Sequence, residues 1–286
     1  MSRIVVTGAD GMLGTEVVRA FADGHEVVGI DLGELDITDG EAVRSFAAGV
    51  APACVINCAA YTDVDGAESA RERAFAVNAT GAGHLARACA ASGIYLIHLS
   101  TDYVFDGSKS GAYTETDPPS PISVYGESKL GGEREVERSG VSFLIVRTAW
   151  LYGHAGRNFV EFVLGAAGEG RPLRIVDDQR GAPTSARDLA LVLRELAARR
   201  PEGVIHATND GSCSWFEFTR EILAAAGDEE TSVEPIASSD LDRPAPRPRN
   251  SVLSLERLES VLGWRPRAWN EAVREYVAER QALHAE

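Results

Sequence analysis

Positive charge is scarce in this chain of 286 residues. It has 28 Lys and Arg residues against 43 Asp and Glu, which gives a formal net charge of −15. Because nucleic-acid binding depends on clustered cations, nucleic acid is a poor partner for such a chain. Long apolar runs are also missing, and no stretch approaches the roughly 18 residues of a membrane span, so no membrane partner is expected. Met1 leads almost directly into a strand-like run at residues 4–6, without the apolar core or cleavage site of a signal peptide. We therefore expect a cytoplasmic protein.

Cysteine is rare as well, and its spacing argues against metal and disulfide chemistry. The chain has four cysteines, at positions 54, 58, 89 and 213. They form no C-x2-C pair, have no His at zinc-ligand spacing, and are too few for a disulfide framework. We expect all four to be small buried hydrophobic residues.

What the chain does contain is a regular alternation of apolar strands and helices in its first half. We predict strands over 3–8, 25–31, 53–60, 95–101 and 142–150, with helices over 11–22, 39–50, 65–92 and 125–138. Continuous apolar strands separated by helices are typical of a parallel sheet covered on both faces. The predicted fold class is therefore α/β, a Rossmann-type doubly wound parallel sheet with a smaller C-terminal substrate-binding lobe.

After residue 150 the pattern is less regular. Helices are predicted over 158–168, 185–200, 214–226 and 255–262, strands over 173–176 and 203–208, and irregular chain over the Pro/Arg segment 243–249. We predict a dinucleotide-binding domain over 1–150, rejoined by 185–208. Residues 151–184 and 209–286 are predicted to build the substrate-binding lobe, with the active site between the two parts.

A glycine-rich turn joins the first strand to the first helix. Gly8, Gly11 and Gly14 follow a G-x2-G-x2-G spacing, which provides a tight turn and close backbone approach to a pyrophosphate at a helix N-terminus. Asp31 ends the second strand about 20 residues later, where a carboxylate can accept a hydrogen bond from the adenosine ribose. An ordinary strand–turn–helix remains the alternative to a dinucleotide site.

A Tyr–Lys pair provides candidate acid–base chemistry. Tyr125 and Lys129 lie four residues apart, on one face of the predicted helix. A nearby ammonium would lower the pKa of the phenol and make it a usable acid or base. Such a pair also occurs on solvated helix faces. Thr101, however, ends the fourth strand at the sheet edge where open α/β sheets bind ligands.

Taken together, these motifs resemble the extended short-chain dehydrogenases/reductases, and more narrowly the dTDP-4-dehydrorhamnose reductase family. The wider resemblance depends on the glycine-rich turn, Asp31, NCAAYT at 57–62, STDYVFDG at 100–107 and YGESK at 125–129. The narrower one depends on TDVDGAE at 62–68, RTAWLY at 147–152, DQRGAPT at 178–184 and RPRNS at 247–251. Together the motifs cover essentially the whole chain.

The resemblance implies hydride transfer from NADPH or NADH to the C4 ketone of dTDP-4-dehydro-β-L-rhamnose. Tyr125 would donate the proton, Lys129 would lower the pKa of Tyr125 and bind the nicotinamide ribose, and Thr101 would hydrogen-bond the sugar oxygen. Asp102 and Trp150 would join Thr101 and Tyr125 in facing the dTDP-sugar. The implied cofactor-binding residues are Gly8, Gly11, Met12, Leu13, Gly14, Asp31, Asp36, Ile37, Ala60, Tyr61, Thr62, Tyr125 and Lys129.

Two other functions remain open from the sequence. One is a 4-ketoreductase acting on a different nucleotide deoxysugar. The other is a non-catalytic NAD(P)-binding regulatory subunit, similar to the β subunit of methionine adenosyltransferase, because fold does not establish function.

Several individual residues have open roles too. Trp150 could be a core aromatic residue, Asn78 a structural polar group and His98 a satisfied core histidine. Arg247 and Arg249 could clamp a nucleotide diphosphate or belong to a solvated loop.

Metal, oligomeric state and cofactor preference are the least determined properties. The hydride chemistry needs no metal. Members of the family are described as binding Mg2+ near a dimer interface, and Glu16 is a weak match to one such glutamate, with no convincing C-terminal partner at 278–286. Mg2+ is therefore doubtful, and the protein is expected to be a monomer or a homodimer. Because no Lys or Arg follows Asp31 at 32–36, we expect NADH to work at least as well as NADPH.

Overall fold

The apolar runs of the chain form one six-stranded parallel sheet in the computed structural model, which describes residues 2–284. Its strand order is β10-β5-β4-β3-β1-β2, and every neighbouring pair is parallel. These strands are β1 (Arg3–Thr7), β2 (Glu26–Ile30), β3 (Cys54–Asn57), β4 (Tyr95–Thr101), β5 (Phe143–Thr148) and β10 (Gly203–His206). The order reverses between β1 and β3, which is the ligand-binding crevice of doubly wound sheets. The predicted fold class is confirmed.

Helices cover both faces of this sheet. The longer helices are α1 (Met12–Ala22), α2 (Gly40–Val50), α5 (Ala82–Ser92), α6 (Val124–Arg138) and α8 (Ala186–Arg199), with α3 (Val64–Ser69) and α4 (Arg71–Phe75) ahead of α5. One apolar core lies between the sheet, α1 and α8, and a second lies between the sheet, α2, α5 and α6. No helix within residues 2–284 is long and apolar enough to cross a membrane.

Short polar side chains set the start of several helices. The Asp39 carboxylate accepts from two backbone amides at the start of α2. The Ser123 hydroxyl accepts from the Gly126 amide at the start of α6. Such caps satisfy amides that have no partner within the helix, so the sequence determines where the helix carrying Tyr125 begins.

The rest of the described chain contains six short strands and four α-helices, most of which surround a second, smaller core. Short strands are β6 (Leu151–Tyr152), β7 (Leu173–Val176), β8 (Arg180–Gly181), β9 (Thr184–Ser185), β11 (Cys213–Ser214) and β12 (Val233–Ile236), which pair as β6 with β9, β7 with β12, and β8 with β11. The helices are α7 (Phe159–Gly168), α9 (Trp215–Ala226) and α11 (Trp269–His284), with α10 (Glu256–Leu262) between the last two. Side chains from β6, β7, α7, α9 and α11 pack together in this core.

The predicted division into domain and lobe stays a prediction, but one segment departs from it. Leu255, Leu258 and Leu262 pack into the core between the sheet, α1 and α8, although 209–286 was assigned to the lobe. The segment 203–206 joins the sheet as β10, beside β5. Residues 1, 285 and 286, which the division also covers, lie outside the described residues.

Two predicted elements differ clearly from the observed ones, and some observed elements were not predicted. The predicted helix 65–92 is interrupted at Ala70, whose φ of −119° and ψ of 41° are not helical, and it contains a wider π-type turn over Ala76–Gly81. The predicted strand 142–150 ends at Thr148, because Trp150 adopts a left-handed φ of 46°. Strand β12 and helix α11 were not predicted.

Candidate active site

A cleft of about 690 Å3 opens at the carboxyl ends of the central strands. The residues proposed above for cofactor, catalysis and substrate all line it: Gly8, Gly11, Met12, Leu13, Gly14, Asp31, Asp36, Ile37, Ala60, Tyr61, Thr62, Thr101, Asp102, Tyr125, Lys129 and Trp150. They come from seven separate stretches of sequence, which the sheet topology brings to one edge. Their individual roles remain predictions.

The glycine-rich turn has no room for side chains. A Cβ on Gly14 would lie 2.0 Å from the Gly8 carbonyl oxygen, and one on Gly8, whose φ is +68°, would lie 2.7 Å from the Ala59 amide nitrogen. Glycine is therefore required for helix α1 to approach the turn and for the turn to approach the end of β3. The result is an open helix N-terminus at the cleft, which suits an anionic pyrophosphate.

Asp31 is held rigidly beside this turn. Its carboxylate accepts from the Asp10 amide at 3.0 Å and from the Leu32 amide at 2.8 Å. The Asp31 amide in turn donates to the Glu34 carboxylate at 2.9 Å. Among the described residues that line the cleft, the basic side chains are Arg73, Lys129 and Arg157, none of them within the segment 31–37.

Asp36 and the next two residues form the following turn at the cleft. The Asp36 carboxylate accepts from the amide and the hydroxyl of Thr38, and these bonds lower its pKa. Asp36 thus adds a second negative charge on the same side of the cleft as Asp31.

Asn78 fixes the segment that carries Tyr61. Its carboxamide accepts from the Tyr61 amide at 2.8 Å and donates to the Tyr61 carbonyl at 3.0 Å. It also donates to the Ser128 hydroxyl at 2.9 Å, and Ser128 donates to the Tyr125 carbonyl. The π-type turn that contains Asn78 therefore links the loop after β3 to helix α6, which is a structural role.

Tyr125 and Lys129 lie in the first turns of α6. Lys129 is buried, and its Nζ donates to the Leu99 carbonyl at 2.6 Å, whereas Tyr125 is half-buried and lines the cleft. The ring of Tyr103 packs edge-on against Tyr125, with centroids 5.6 Å apart. A Cβ on Gly126 would lie 2.2 Å from the Tyr103 carbonyl oxygen, so glycine lets α6 start this close to the end of β4.

That Lys129 lowers the pKa of Tyr125 stays a prediction. Burial raises the pKa of Tyr125 to about 12, and a hydrogen bond with Thr101 offsets only part of this. Burial also lowers the pKa of Lys129 to about 8, against the opposing effect of Glu133. The ammonium is engaged with the Leu99 carbonyl, and the phenol therefore stays protonated near pH 7, as a proton donor must.

Thr101 and Asp102 form a hydrogen-bonded pair beside the phenol. The Thr101 hydroxyl donates to Asp102 Oδ1 at 3.0 Å and accepts from the Tyr103 amide at 3.2 Å. Asp102 is 1% exposed, and burial raises its pKa to about 6. Its Oδ2 is inaccessible to solvent, and a hydrogen bond with the Ser251 side chain opposes part of the rise in pKa.

One part of the cleft wall, called the aromatic wall below, is formed by Trp150 and Trp215. Trp150 stacks on Trp215, with ring centroids 3.5 Å apart and planes 6° from parallel, and both line the cleft. A Cβ on Gly181 would lie 2.4 Å from the Trp150 ring, so the ring is enclosed on that side too. Trp150 is thus a cleft residue rather than a fully buried core aromatic. Trp215 and Arg157 were missed, because no local sequence signal connects them to the other motifs.

Other residues with open roles have clear surroundings. His98 is buried and bonds Asn57 through Nδ1, while its Nε2 has no partner among the described residues, and burial holds its pKa well below its usual value. Arg247 forms a bidentate ion pair with Asp65, at 2.7 and 3.0 Å, so its guanidinium is occupied. Arg249 is exposed.

The magnesium candidate Glu16 lies away from the cleft. Its carboxylate is buried and paired with Arg19 at 2.8 Å. Within the described part of the chain, no group of three or more His, Cys, Asp or Glu side chains converges as metal ligands would. The magnesium question stays open, since residues 285 and 286 of the predicted C-terminal partner region lie outside the described residues.

The fold and the cleft together define a class of protein. A doubly wound parallel sheet, a glycine-rich turn at its crevice and an enclosed Tyr–Lys–Thr group are the features of an extended short-chain dehydrogenase/reductase. The family model described as the RmlD substrate binding domain matches residues 2–282. The chain therefore belongs to this family, that of the dTDP-4-dehydrorhamnose reductases, and the resemblance drawn from its motifs is confirmed.

Individual relatives agree with this assignment. A dTDP-4-dehydrorhamnose reductase of Streptomyces griseus is 46% identical, over 92% of this chain and 90% of that protein. A probable dTDP-4,6-dihydroxy-2-methyloxan-3-one 4-ketoreductase of Streptomyces antibioticus is 40% identical, over 96% of this chain and 94% of its own. The crystal structure of a dTDP-4-dehydrorhamnose reductase from Bacillus anthracis in complex with NADP has a TM-score of 0.94 and 35% identity, covering 97% of this chain and 99% of that one.

Proposed function

We propose that this protein reduces the C4 ketone of dTDP-4-dehydro-β-L-rhamnose to dTDP-β-L-rhamnose, with NADPH or NADH as the hydride source. One observation carries the proposal: Tyr125, Lys129 and Thr101 line the same cleft as the glycine-rich turn that suits a dinucleotide. The names of relatives at 45–46% identity support the choice of substrate.

The chain fits the cofactor that this reaction needs. The turn formed by Gly8, Gly11 and Gly14 leaves backbone amides at the start of α1 open to a pyrophosphate, because any side chain there would collide with backbone. The Asp31 carboxylate is held at the cleft to accept from a ribose hydroxyl. Asp36 and Ile37 would flank the adenine, and Ala60, Tyr61 and Thr62 would line the middle of the site.

Proton transfer is the part of the reaction that the protein itself performs. The bound dihydronicotinamide supplies the hydride to C4. Tyr125 donates its phenolic proton to the ketone oxygen as that oxygen gains negative charge, and the phenol is reprotonated from solvent before the next turnover. Thr101 hydrogen-bonds the same oxygen and orients it, and Lys129 stabilises the phenolate formed in the step. Thr101 and Lys129 are buried, whereas Tyr125 reaches the cleft, where it can meet the substrate.

The dTDP-sugar would bind against the aromatic wall. Trp150 and Trp215 would together offer apolar surface to the sugar ring, and Asp102 would face the sugar beside Thr101. Residues 151–184 and 209–286, apart from α10, would supply this side of the cleft. On this proposal the predicted substrate lobe places its aromatic residues opposite the cofactor domain.

A second nucleotide deoxysugar is the main alternative substrate. The Streptomyces antibioticus relative, at 40% identity, supports it because that protein's name assigns it another 4-keto sugar. A non-catalytic regulatory role is less well supported, since Thr101, Tyr125 and Lys129 are all present and enclosed in one cleft. Whether the protein is a monomer or a homodimer stays a prediction.

The test is direct. Purified protein is mixed with dTDP-4-dehydro-β-L-rhamnose and NADH or NADPH, absorbance at 340 nm is followed, and the product is identified by NMR. Turnover to dTDP-β-L-rhamnose supports the proposal. Turnover only with another dTDP-4-keto sugar supports the second candidate. Cofactor binding without turnover of either sugar supports the regulatory role.

A further inference from the structure

A buried ion pair lies beneath the candidate catalytic side chains. Arg147 donates to both carboxylate oxygens of Glu133, from Nε at 2.9 Å and from Nη2 at 2.7 Å. Their side chains are 4% and 2% exposed. The Ser100 hydroxyl donates to the same carboxylate at 2.5 Å. Neither Glu133 nor Arg147 lines the cleft, so neither is expected to touch a ligand.

This one carboxylate ties together the three elements that form the active site. Glu133 lies on α6, four residues after Lys129 and eight after Tyr125, so the three share one helix face. Ser100 directly precedes Thr101 at the end of β4. Arg147 lies on β5, just before the segment that leads to Trp150.

The Glu133 carboxylate also affects the pKa of Lys129, because few other charges face that lysine. Lys129 is enclosed, and its facing neighbours Cys58, Tyr125 and His98 are neutral near pH 7, because burial raises the pKa of the thiol and of the phenol and lowers that of the imidazole. Asp102 faces Thr101 and Tyr125 rather than Lys129.

The remaining charged groups near α6 lie outside this enclosed space or are paired within it. The ion pairs Arg71–Glu127 and Arg87–Glu135 lie on the exposed side of the helix. Arg147 is bound to Glu133. Burial alone would lower the pKa of Lys129, and Glu133 opposes that effect, which leaves the value at about 8.

We propose that Glu133 is a positioning residue, whose buried carboxylate keeps Lys129 protonated and holds the helix carrying Tyr125 against the strand end carrying Thr101. It acts through Lys129 and Ser100, not on the substrate. The kinetic consequence rests on the proposed function, whereas the charge state of Lys129 does not.

The lysine composition makes the charge state measurable without turnover. Lys109 and Lys129 are the two lysines of the chain. Protein labelled with 13C-lysine therefore gives two Cε–Hε signals, and Lys109, paired with Asp117 near the surface, serves as an internal reference. Titration from pH 6 to 10 yields the pKa of Lys129 in the absence of substrate and cofactor.

Glu133→Gln removes the charge and keeps the shape. At a separation of roughly 6 Å between residues four apart, we expect the pKa of Lys129 to fall by about 1–2 pH units and that of Lys109 to stay unchanged. Glu127→Gln, which neutralises a half-exposed carboxylate on the same helix, is the matched control and should leave both signals as in the wild type. An unchanged Lys129 in Glu133→Gln would overturn the proposal.

A second variant covers the case in which Glu133→Gln does not fold. Glu133→Leu combined with Arg147→Met removes the carboxylate without leaving an unpaired guanidinium, a replacement that buried ion pairs often tolerate. The pKa of Lys129 should fall in this variant too. A wild-type Lys129 that titrates below pH 7 would overturn the proposal without any variant.

Kinetics separate positioning from a merely structural effect. In Glu133→Gln the alkaline limb of kcat/KM should move to lower pH with Lys129, so that the loss is several-fold at pH 7.5 and small at pH 6. A loss of the same factor at every pH would mean a structural role alone and would refute the proposal. If the wild type does not turn over the dTDP-sugar, the proposed function fails and the NMR titration still decides the role of Glu133.

Discussion

The preference between NADH and NADPH depends on Asp31, whose carboxylate is fixed by two backbone amides at the cleft. A ribose 2′-phosphate bound in its place would meet this fixed negative charge, and no Lys or Arg follows in 32–37 to offset it. Two unit charges 4 Å apart interact by about 1 kcal/mol in water and by about 4 kcal/mol at a protein surface. We therefore expect NADH to be used at least as well as NADPH.

The variant Asp31→Ala removes the repulsion. With 1.4 kcal/mol equal to a factor of ten, the ratio of kcat/KM for NADPH to that for NADH should rise by about tenfold. Asp31→Asn, which keeps the shape and an acceptor for one of the two amides, should shift the ratio in the same direction while disturbing the turn less than Asp31→Ala. Glu34→Gln is the matched control, because Glu34 binds the Asp31 amide and does not line the cleft.

The assay is the initial rate of absorbance loss at 340 nm, measured with each cofactor over a range of concentrations. A wild-type preference for NADPH of tenfold or more would refute the reasoning. In that case a basic side chain from a distant segment, with Arg73 and Arg157 as the candidates that line the cleft, would have to bind the phosphate. The comparison of NADH with NADPH matters because the crystal structure of the Bacillus anthracis relative is a complex with NADP.

Three further variants test the proposed active site. Tyr125→Phe should lower kcat by about 10²- to 10⁴-fold and should retain NADH binding, measured by fluorescence. Near wild-type turnover would contradict the assignment of Tyr125 as the proton donor. Tyr113→Phe, which changes a tyrosine outside the cleft, is the control. Asp102→Asn should change how stability depends on pH: the folded carboxyl has a pKa of about 6 against 3.8 unfolded, so the wild type loses up to about 3 kcal/mol as pH rises from 4 to 6 and the variant does not. Parallel pH curves of the unfolding free energy, measured in urea, would refute this. Trp215→Ala should raise KM for the dTDP-sugar by roughly 2- to 10-fold with little change in kcat, whereas Trp215→Phe should restore most of the affinity, and an unchanged KM would exclude Trp215 from supporting Trp150.

The cofactor half of the molecule was predictable because its information is local. The run that forms β4 is fully buried and was predicted over the same residues, 95–101, in which the strand is observed. Once the strands are parallel, their carboxyl ends must share one edge of the sheet. Asp31, Thr101 and the loop after β3 are therefore expected to lie close together, and they do line one cleft.

The missed elements carry weaker local signals. Strand β12 contains Pro235 and pairs only with β7 among the described strands, and proline is tolerated in such an edge position but argues against a strand in sequence. Helix α11 buries Ala272, Val273, Tyr276 and Val277. This narrow stripe has helical spacing, but the charged residues between its members obscure it.

The aromatic wall shows where prediction from a single sequence ends. Trp150 lies in a recognisable motif. Its backbone, however, is left-handed, with a φ of 46°, which is rare for a non-glycine residue and which the sequence around it does not predict. Its stacking partner Trp215 is 65 residues away and begins helix α9. This contact depends on how the second core packs. The residues next to Trp150 in the sequence carry no signal that points to Trp215, and the reverse is also true. The positions of the residues that would hold the cofactor follow from sheet topology, whereas the residues that would choose the sugar lie in irregular chain. Relatives that share the first set can therefore differ in substrate, as the two Streptomyces proteins do by name.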